Sequence, residues 1–456
     1  MCASMSAATD NPKDQRVARL QEILDSGVLR SAGRLLNSLA PAEIAHLLES
    51  LPPAKREILW SLVKPEFEGE ILVSLSDEVR ADLVKDMDVA SWLAATENLD
   101  LDDLIDLVQD MPETVMREVV SAFDDQHRKR VEAMLSYSED TAGGLMNTDT
   151  VTIRPEISLD VVLRYLRRLG EEMPQDTDAL FVVNRDDEYL GVLPLWKLVS
   201  GNPDDTVAEV MSLELTPLRM DMLDSKVARY FETHDISSAP VIDAQGHLLG
   251  RITVDDVVDV IREEGEHQFM GQAGLSEEED MFAPVLTSTR RRAVWLGINL
   301  LTAFLASWVI GLFQDTLSKY VALAVLMPIV ASMGGIAGSQ TLTLAIRGIA
   351  LGQLTGKNAR HLLLKELAVG ALNGIIWAIV VGAIAGIWFH DPAIAFLIAV
   401  AITINLLFAA LSGALLPLLL KRLGIDPALA GSVLLTTVTD VVGFLAFLGL
   451  ATLFLV

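Results

Sequence analysis

The chain has 456 residues, 51% of them hydrophobic, with 35 Lys and Arg against 62 Asp and Glu and a net charge of −27. A single cysteine, Cys2, excludes an intrachain disulfide and a thiolate metal cluster, and the seven histidines form no His-x-x-x-His pair, which leaves a transition-metal site unsupported. The charge is uneven: 10 basic and 5 acidic residues follow from Arg290 on, leaving 25 and 57 before it, and a half carrying about −32 repels nucleic acid and attracts cations.

Met1 to Gln15 is polar without an apolar core, so residues 1–16 are expected to be disordered and not a secretory signal. The large acidic half is accordingly expected in the cytoplasm. Residues 17–137 carry a twelve-residue rhythm in which Leu35, Leu47, Leu59, Ile71, Leu83, Ala95, Leu107, Val119 and Val131 each precede a second apolar residue by four positions. Such i, i+4 pairs followed by caps or breakers such as Pro52, Ser76, Asp88 and Pro112 predict short helices joined by tight turns, stacking into an α-superhelix.

A second repeat occupies residues 138–262. Met146 matches Met211 and Val162 matches Val227 at an offset of 65, and Val183 matches Ile242 at an offset of 59. Each copy, 138–200 and 201–262, reads helix, strand, turn, strand, helix; in the second the strands are expected at Ala239 to Asp243 and Leu248 to Thr253. Residues 263–289 read as a connecting segment, with Gly265, Gly271 and Gly274 weakening a continuous helix without forbidding one.

Five apolar spans follow within 290–456, roughly 294–313, 320–346, 366–389, 393–420 and 427–455. If they alternate across a lipid bilayer, Arg290 to Arg292, Arg347, Lys357, Arg360, Lys365, Lys421 and Arg422 share one side and Lys319 lies on the other. By the positive-inside rule the amino terminus is cytoplasmic and the carboxyl terminus outside, in a multi-pass inner-membrane protein.

Two stretches carry chemistry. Span two holds Pro328 and the run Gly334-Gly335-Ile336-Ala337-Gly338-Ser339-Gln340, which predicts an interrupted helix or, alternatively, Gly-x-x-x-Gly helix packing between Gly334 and Gly338. Span five holds Asp440, the one ionisable side chain between Pro427 and Val456. At about 1.5 Å per residue it sits roughly 20 Å beyond Pro427, where an ionised carboxylate facing lipid costs at least about 3 kcal/mol. Two readings stay open: Asp440 faces an ion pathway, or it is a buried residue satisfied by Thr436, Thr437 and Thr439. No enzyme is expected, since Gly356-Lys357-Asn358 lacks the spacing and hydroxyl of a phosphate loop.

The phrases Ala-Pro-Val-Ile-Asp (239–243) and Gly-Arg-Ile-Thr-Val-Asp-Asp (250–256) resemble tandem CBS domains. That resemblance implies a ribose-binding pair at Thr253 and Asp256, whose counterparts in the first copy, Pro194 and Lys197, depart from the pattern; an adenine nucleotide such as ATP is the implied ligand, and helix capping the alternative. The whole chain, through Gly334 to Gln340, Lys365-Glu366, Leu423 to Leu429 and Thr439-Asp440-Val441-x-Gly443, resembles the MgtE family of magnesium channels.

The implied fold is multidomain: an α-superhelical N domain, an α/β CBS pair, a connecting helix and an all-α domain of five membrane helices. The implied function is a Mg²⁺-gated, Mg²⁺-selective channel working as a homodimer, with a proton- or sodium-coupled divalent-cation transporter as the alternative. Asp440 is then the pore site, lined by Gly334, Gly335, Gly338, Gln340, Thr436 and Thr437, with Asp426 at the membrane boundary. Glu70, Asp102, Asp106, Asp235, Asp256, Asp259 and Glu264 are the implied cytoplasmic Mg²⁺-sensing positions. Ile336 stands where the family usually has Asn, His267 replaces an acid, and Leu223 and Ser225 sit where others occur.

Overall fold

The computed structural model describes residues 29–456 apart from 37, 86, 97, 98, 100, 110, 112, 171, 172, 175, 176, 277, 278 and 355–357. The expectation for residues 1–16, and the start of the helical module, lie outside the described residues. The chain divides into two compact units, one reaching Glu264 and including Glu278–Ala283, the other formed by Gly265–Glu277 and Pro284–Val456.

The first unit begins with the helical module: α1 (Leu29–Leu36), α2 (Pro41–Glu49), α3 (Pro53–Trp60), α4 (Pro65–Val73), α5 (Asp77–Val84), α6 (Val89–Thr96), α7 (Leu101–Gln109), α8 (Glu113–Ala122) and α9 (Asp125–Met134). Pro41, Pro53 and Pro65 each stand at a helix start, where their missing N–H leaves nothing unpaired. The twelve-residue rhythm marks the core. Leu47, Leu59, Ile71, Leu83, Ala95, Leu107, Val119 and Val131 are all buried, and Leu35 packs against them. Because helices this short are marginal alone, their stability comes from this shared interior, at about 1.5–3 kcal/mol for each fully buried aliphatic side chain.

After α10 (Ala142–Leu145) come β1 (Thr152–Ile153), α11 (Leu159–Leu169), β2 (Ala179–Val183), β3 (Tyr189–Pro194) and α12 (Leu195–Ser200); α13 (Val207–Val210), β4 (Leu218–Arg219), α14 (Asp224–His234), β5 (Ser238–Ile242), β6 (Leu248–Thr253) and α15 (Val254–Gly271) repeat the plan. Each three-stranded sheet pairs its first strand in parallel and its last antiparallel. The register slips between Val182 and Val183 in one copy and between Val241 and Ile242 in the other, so the sequence repeat extends to the irregularity. Val162 and Val227, the repeat partners, are both fully buried.

Two features of the connecting segment were left open by the sequence. α15 runs unbroken from Val254 to Gly271, passing through Gly265, so the last CBS helix and the start of the connecting segment are one element. Further on, residues 279–283 dock onto the helical module: Arg56 is 1% exposed, donates to Leu48 O, Leu51 O and Asp280 Oδ2 (2.9 Å), and the Asp280 N–H donates to Glu78 Oε2 at 2.7 Å.

The second unit carries five helices long and apolar enough to cross a membrane: α16 (Val285–Gly311), α18 (Val321–Ala350), α19 (Ala359–Phe389), α20 (Pro392–Arg422) and α21 (Pro427–Leu455), with the short α17 (Gln314–Lys319) after the first. The Thr316 and Thr452 hydroxyls meet at 2.7 Å, and the Tyr320 hydroxyl donates to Leu455 O, tying the end of α21 to the α16–α18 connection. Between α20 and α21, Gly424 adopts φ +71°, a left-handed conformation that suits glycine. Asp426 then caps α21 by accepting from Ala428 N and Leu429 N, with Pro427 at the first helical position.

α18 is continuous for 30 residues with Pro328 inside it, so the expected interruption is absent. Proline removes one helix hydrogen bond, and packing of α18 against α20 and α21 holds the remainder.

Candidate functional site

Counting from Pro427, Asp440 is the fourteenth residue of α21 and faces an open groove of about 760 Å³. Its walls are Ala331, Ser332, Gly335, Ile336, Ser339, Gln340 and Thr343 of α18 with Thr436 and Asp440 of α21. These lining positions on α18 recur at three- and four-residue spacing, which places them on one helix face.

The hydroxyls of the threonines near Asp440 are bonded elsewhere. Thr436 Oγ1 donates to Ser432 O at 2.9 Å, Thr437 Oγ1 to Val433 O at 2.7 Å and Thr439 Oγ1 to Thr436 O at 3.0 Å. All three hydroxyl protons are taken up by the helix backbone, and among the described residues Asp440 has no hydrogen bond or ion pair. Asp440 is thus a partly exposed carboxylate on the groove wall, unmatched by donors among the described residues.

Of the expected lining, Gly335, Gln340 and Thr436 are on the groove. Gly334 and Gly338 are not: both are buried, a Cβ on Gly334 would come within 2.2 Å of the Asn405 side chain, and one on Gly338 within 2.8 Å of Leu435. Their role is close helix approach, because only hydrogen fits there. Thr437 is also off the groove lining, its hydroxyl bonded to its own helix. Ile336 lines the groove and is 58% exposed, so this wall presents an apolar side chain where the resemblance leads one to expect an amide.

Two buried polar residues behind the lining were not singled out from sequence as site residues. Glu366 is 5% exposed, accepting from Thr341 Oγ1 at 3.1 Å and from Lys365 Nζ at 2.8 Å. Asn405, 1% exposed, is the one amide in the fourth apolar span, and that isolation was its signal. At the start of α21, His267 Nε2 lies 3.0 Å from Asp426 Oδ2. Asp426 thus already serves two backbone N–H groups and one imidazole.

The acidic positions of the first unit are dispersed. Glu70, Asp106, Asp235, Asp259 and Glu264 are exposed; Asp235 ends α14 in a left-handed conformation at φ +49°, and Arg262 lies 3.4 Å from Asp259. Asp102 accepts from Asn147 Nδ2 at 3.1 Å. Among the described residues no three His, Cys, Asp or Glu side chains gather into a ligand shell. Burial, reinforced by Asp140 and Glu264, raises the Asp224 carboxyl, and burial together with Asp259, Asp77 and Asp224 raises Glu263. Sequence reading passed over Asp224 and Glu263 because single acids in an acidic half carry no distinguishing signal.

Thr253 and Asp256 meet directly at the start of α15: Asp256 Oδ2 accepts from Thr253 N at 3.2 Å and Thr253 Oγ1 at 2.9 Å, the side-chain-to-backbone half of a cap. Burial first, and then the charge of Asp255, pushes the Asp256 carboxyl up to about 6 against an ordinary 3.8. The same oxygens are the hydrogen-bonding groups a ribose needs, so these residues fit a nucleotide as well as a cap. In the first copy Pro194 and Lys197 take these places, and Lys197 Nζ turns to Val210 O.

Five helices long and apolar enough to cross a membrane, after a helical module and paired CBS-like units, define a multi-domain membrane protein, and sequence comparison gives its class, divalent-cation transporter. Residues 327–450 match the MgtE divalent cation transporter family, 39–140 the MgtE intracellular N domain, and 142–201 and 202–263 the CBS domain. Over 449 residues the chain is 32% identical to the magnesium transporter MgtE of Thermus thermophilus, covering 97% of this chain and 99% of that one. It is 25% identical to the Bacillus subtilis magnesium transporter MgtE, covering 97% and 98%. A crystal structure of the cytosolic domain of the Mg²⁺ channel MgtE in complex with ATP is similar over 54% of this chain and 99% of that one, at 32% identity and a TM-score of 0.49. The chain belongs to the MgtE family of magnesium transporters.

Proposed function

We propose that this protein is a Mg²⁺-selective channel subunit whose pathway is completed by a second copy, placing two Asp440 carboxylates face to face, and that Mg²⁺ bound to its acidic half closes the pathway. The observation that carries this reading is the groove itself, open along one side with an unpartnered carboxylate on its wall. Mg²⁺ sheds water reluctantly and is usually held by one or two carboxylates with several waters retained. Six waters occupy roughly 180 Å³. The groove, at about 760 Å³, has room for a hydrated ion beside Asp440. A two-fold axis supplies two carboxylates from one sequence position. Holding the ion through its waters, without a full protein cage, also lets it leave.

The acidic half supports the sensing role. Asp224, Glu263 and Asp256 hold their protons more tightly than ordinary carboxyls because burial and neighbouring acids oppose ionisation, and a divalent cation relieves that opposition. Thr253 and Asp256 are proposed to hold the ribose of an adenine nucleotide in the second CBS copy only.

The test is Mg²⁺ influx into liposomes containing purified protein. Asp440→Ala is expected to abolish influx while the protein still assembles as a homodimer. Wild-type influx in that variant would refute the assignment.

A further inference from the structure

Asn405 lies behind the groove, not on it, yet it touches both helices that form the walls. Its Nδ2 donates from α20 to Val330 O on α18 at 2.8 Å, and its buried Oδ1 meets no donor among the described residues. Because a carbonyl must receive an N–H, that bond fixes which way the carboxamide points. Two glycines make room for it. A Cβ at Gly334 would come within 2.2 Å of Nδ2 and 3.0 Å of Oδ1, and one at Gly443 within 2.8 Å of Nδ2. Gly334 precedes the lining residue Gly335, and Gly443 stands about one helical turn past Asp440. One rigid side chain is therefore wedged between the two walls at the level of the carboxylate.

An aliphatic side chain would fill this site without an orphaned oxygen, so packing alone does not account for an amide. Pro328 leaves the Ala324 carbonyl, one turn before it, without its helix N–H, and Val330 follows the proline by two residues, directly before Ala331 and Ser332 of the lining. A proline-weakened segment needs an outside restraint to hold one geometry. Asn405 supplies it.

We infer that Asn405 is a positioning residue for cation selection, setting the distance between the α18 wall and Asp440 so that the groove admits hydrated Mg²⁺ in preference to divalent cations with looser hydration. The inference rests on the groove being the ion pathway. Ca²⁺ takes 6–8 oxygens in flexible geometry, whereas Mg²⁺ demands near-ideal octahedral coordination, so wall spacing separates the two.

The experiment measures Mg²⁺ and Ca²⁺ influx separately into liposomes containing the wild type, Asn405→Leu, Asn405→Asp, Gly443→Ala or Asp440→Ala, with assembly and thermal unfolding recorded for each. Asn405→Asp loses the donor at nearly constant volume, and Asn405→Leu loses it with the same number of side-chain heavy atoms but a larger volume. Gly443→Ala pushes on Asn405 from the opposite wall. A displaced wall is expected to lower the Mg²⁺ to Ca²⁺ influx ratio about tenfold or more in every folded variant at 405 or 443. A wild-type ratio in any folded one of these overturns the inference, and Gly443→Ala decides the matter if both Asn405 variants fail to fold. Asp440→Ala separates the two levels: influx surviving there overturns the pathway reading and the inference with it, while a silent Asp440→Ala beside unchanged ratios elsewhere overturns the inference alone.

Discussion

Thr253 and Asp256 give a titration with a definite sign. The Asp256 carboxyl is raised to about 6 in the folded protein from an ordinary 3.8, chiefly by burial. A raised carboxyl contributes stability that is fully present below the unfolded value and is lost as pH rises through the folded one, so the folded state weakens between about pH 4 and pH 6. Asp256→Asn keeps an acceptor for Thr253 and removes the charge. It is expected to stabilise the full chain by about 1–3 kcal/mol at pH 7.5, with the difference vanishing near pH 4. Thermal unfolding in chelator without nucleotide measures this, and equal stability of the two proteins at both pH values would contradict it. At the same scale Asp440 was legible in the sequence as one charge in an apolar helix, but the hydroxyl bonds of Thr436, Thr437 and Thr439 were not. Side-chain rotamers decide whether a neighbouring hydroxyl serves a carboxylate or its own helix.

Among elements, the segment 279–283 is held by an ion pair whose partners are 1% and 5% exposed, Arg56 and Asp280. Removing one partner of such a pair leaves a buried charge unmatched, which costs about 3–5 kcal/mol. Arg56→Gln is therefore expected to destabilise the first unit and to speed hydrogen exchange across α3 and residues 279–283. Unchanged exchange there would show that the pair is not formed.

Sequence reading placed the helical repeats because an i, i+4 apolar pair every twelve residues has a strong period, and it placed β5 and β6 nearly to the residue. It missed β1 and β4, whose two residues are too few to carry a period, and α17. The first and third spans began later in sequence than in structure, since α16 and α19 extend their helices into polar flanks around Arg290 and Arg360. Pro328 and the glycines suggested a break that α18 does not have. There the alternative, helix packing, is what Gly334 and Gly338 do.

For the whole molecule, charge asymmetry carries the expected orientation and the proposed regulation. Five spans with Arg290 to Arg292, Arg347, Arg360, Lys365, Lys421 and Arg422 at alternate helix ends predict a cytoplasmic amino-terminal half. A reporter fused after Val456 is expected outside the membrane, and a cytoplasmic signal would reverse the topology. The acidic half, at about −32, should repel itself when Mg²⁺ is low and compact as Mg²⁺ bridges carboxylates. Protection of that half from protease should rise with Mg²⁺ as influx falls. If Asp106→Asn combined with Asp259→Asn left both curves unchanged, the proposed sensing would fail even with the pathway intact.

The central claim is that ions pass the Asp440 carboxylates of paired chains as a channel current. Single-channel recording from purified protein in a bilayer, with Mg²⁺ as the permeant cation, tests it most directly. Resolved unitary Mg²⁺ currents in the wild type, absent in a correctly assembled Asp440→Ala protein, are predicted; Mg²⁺ flux without unitary events, or unitary currents that survive in Asp440→Ala, would contradict the account.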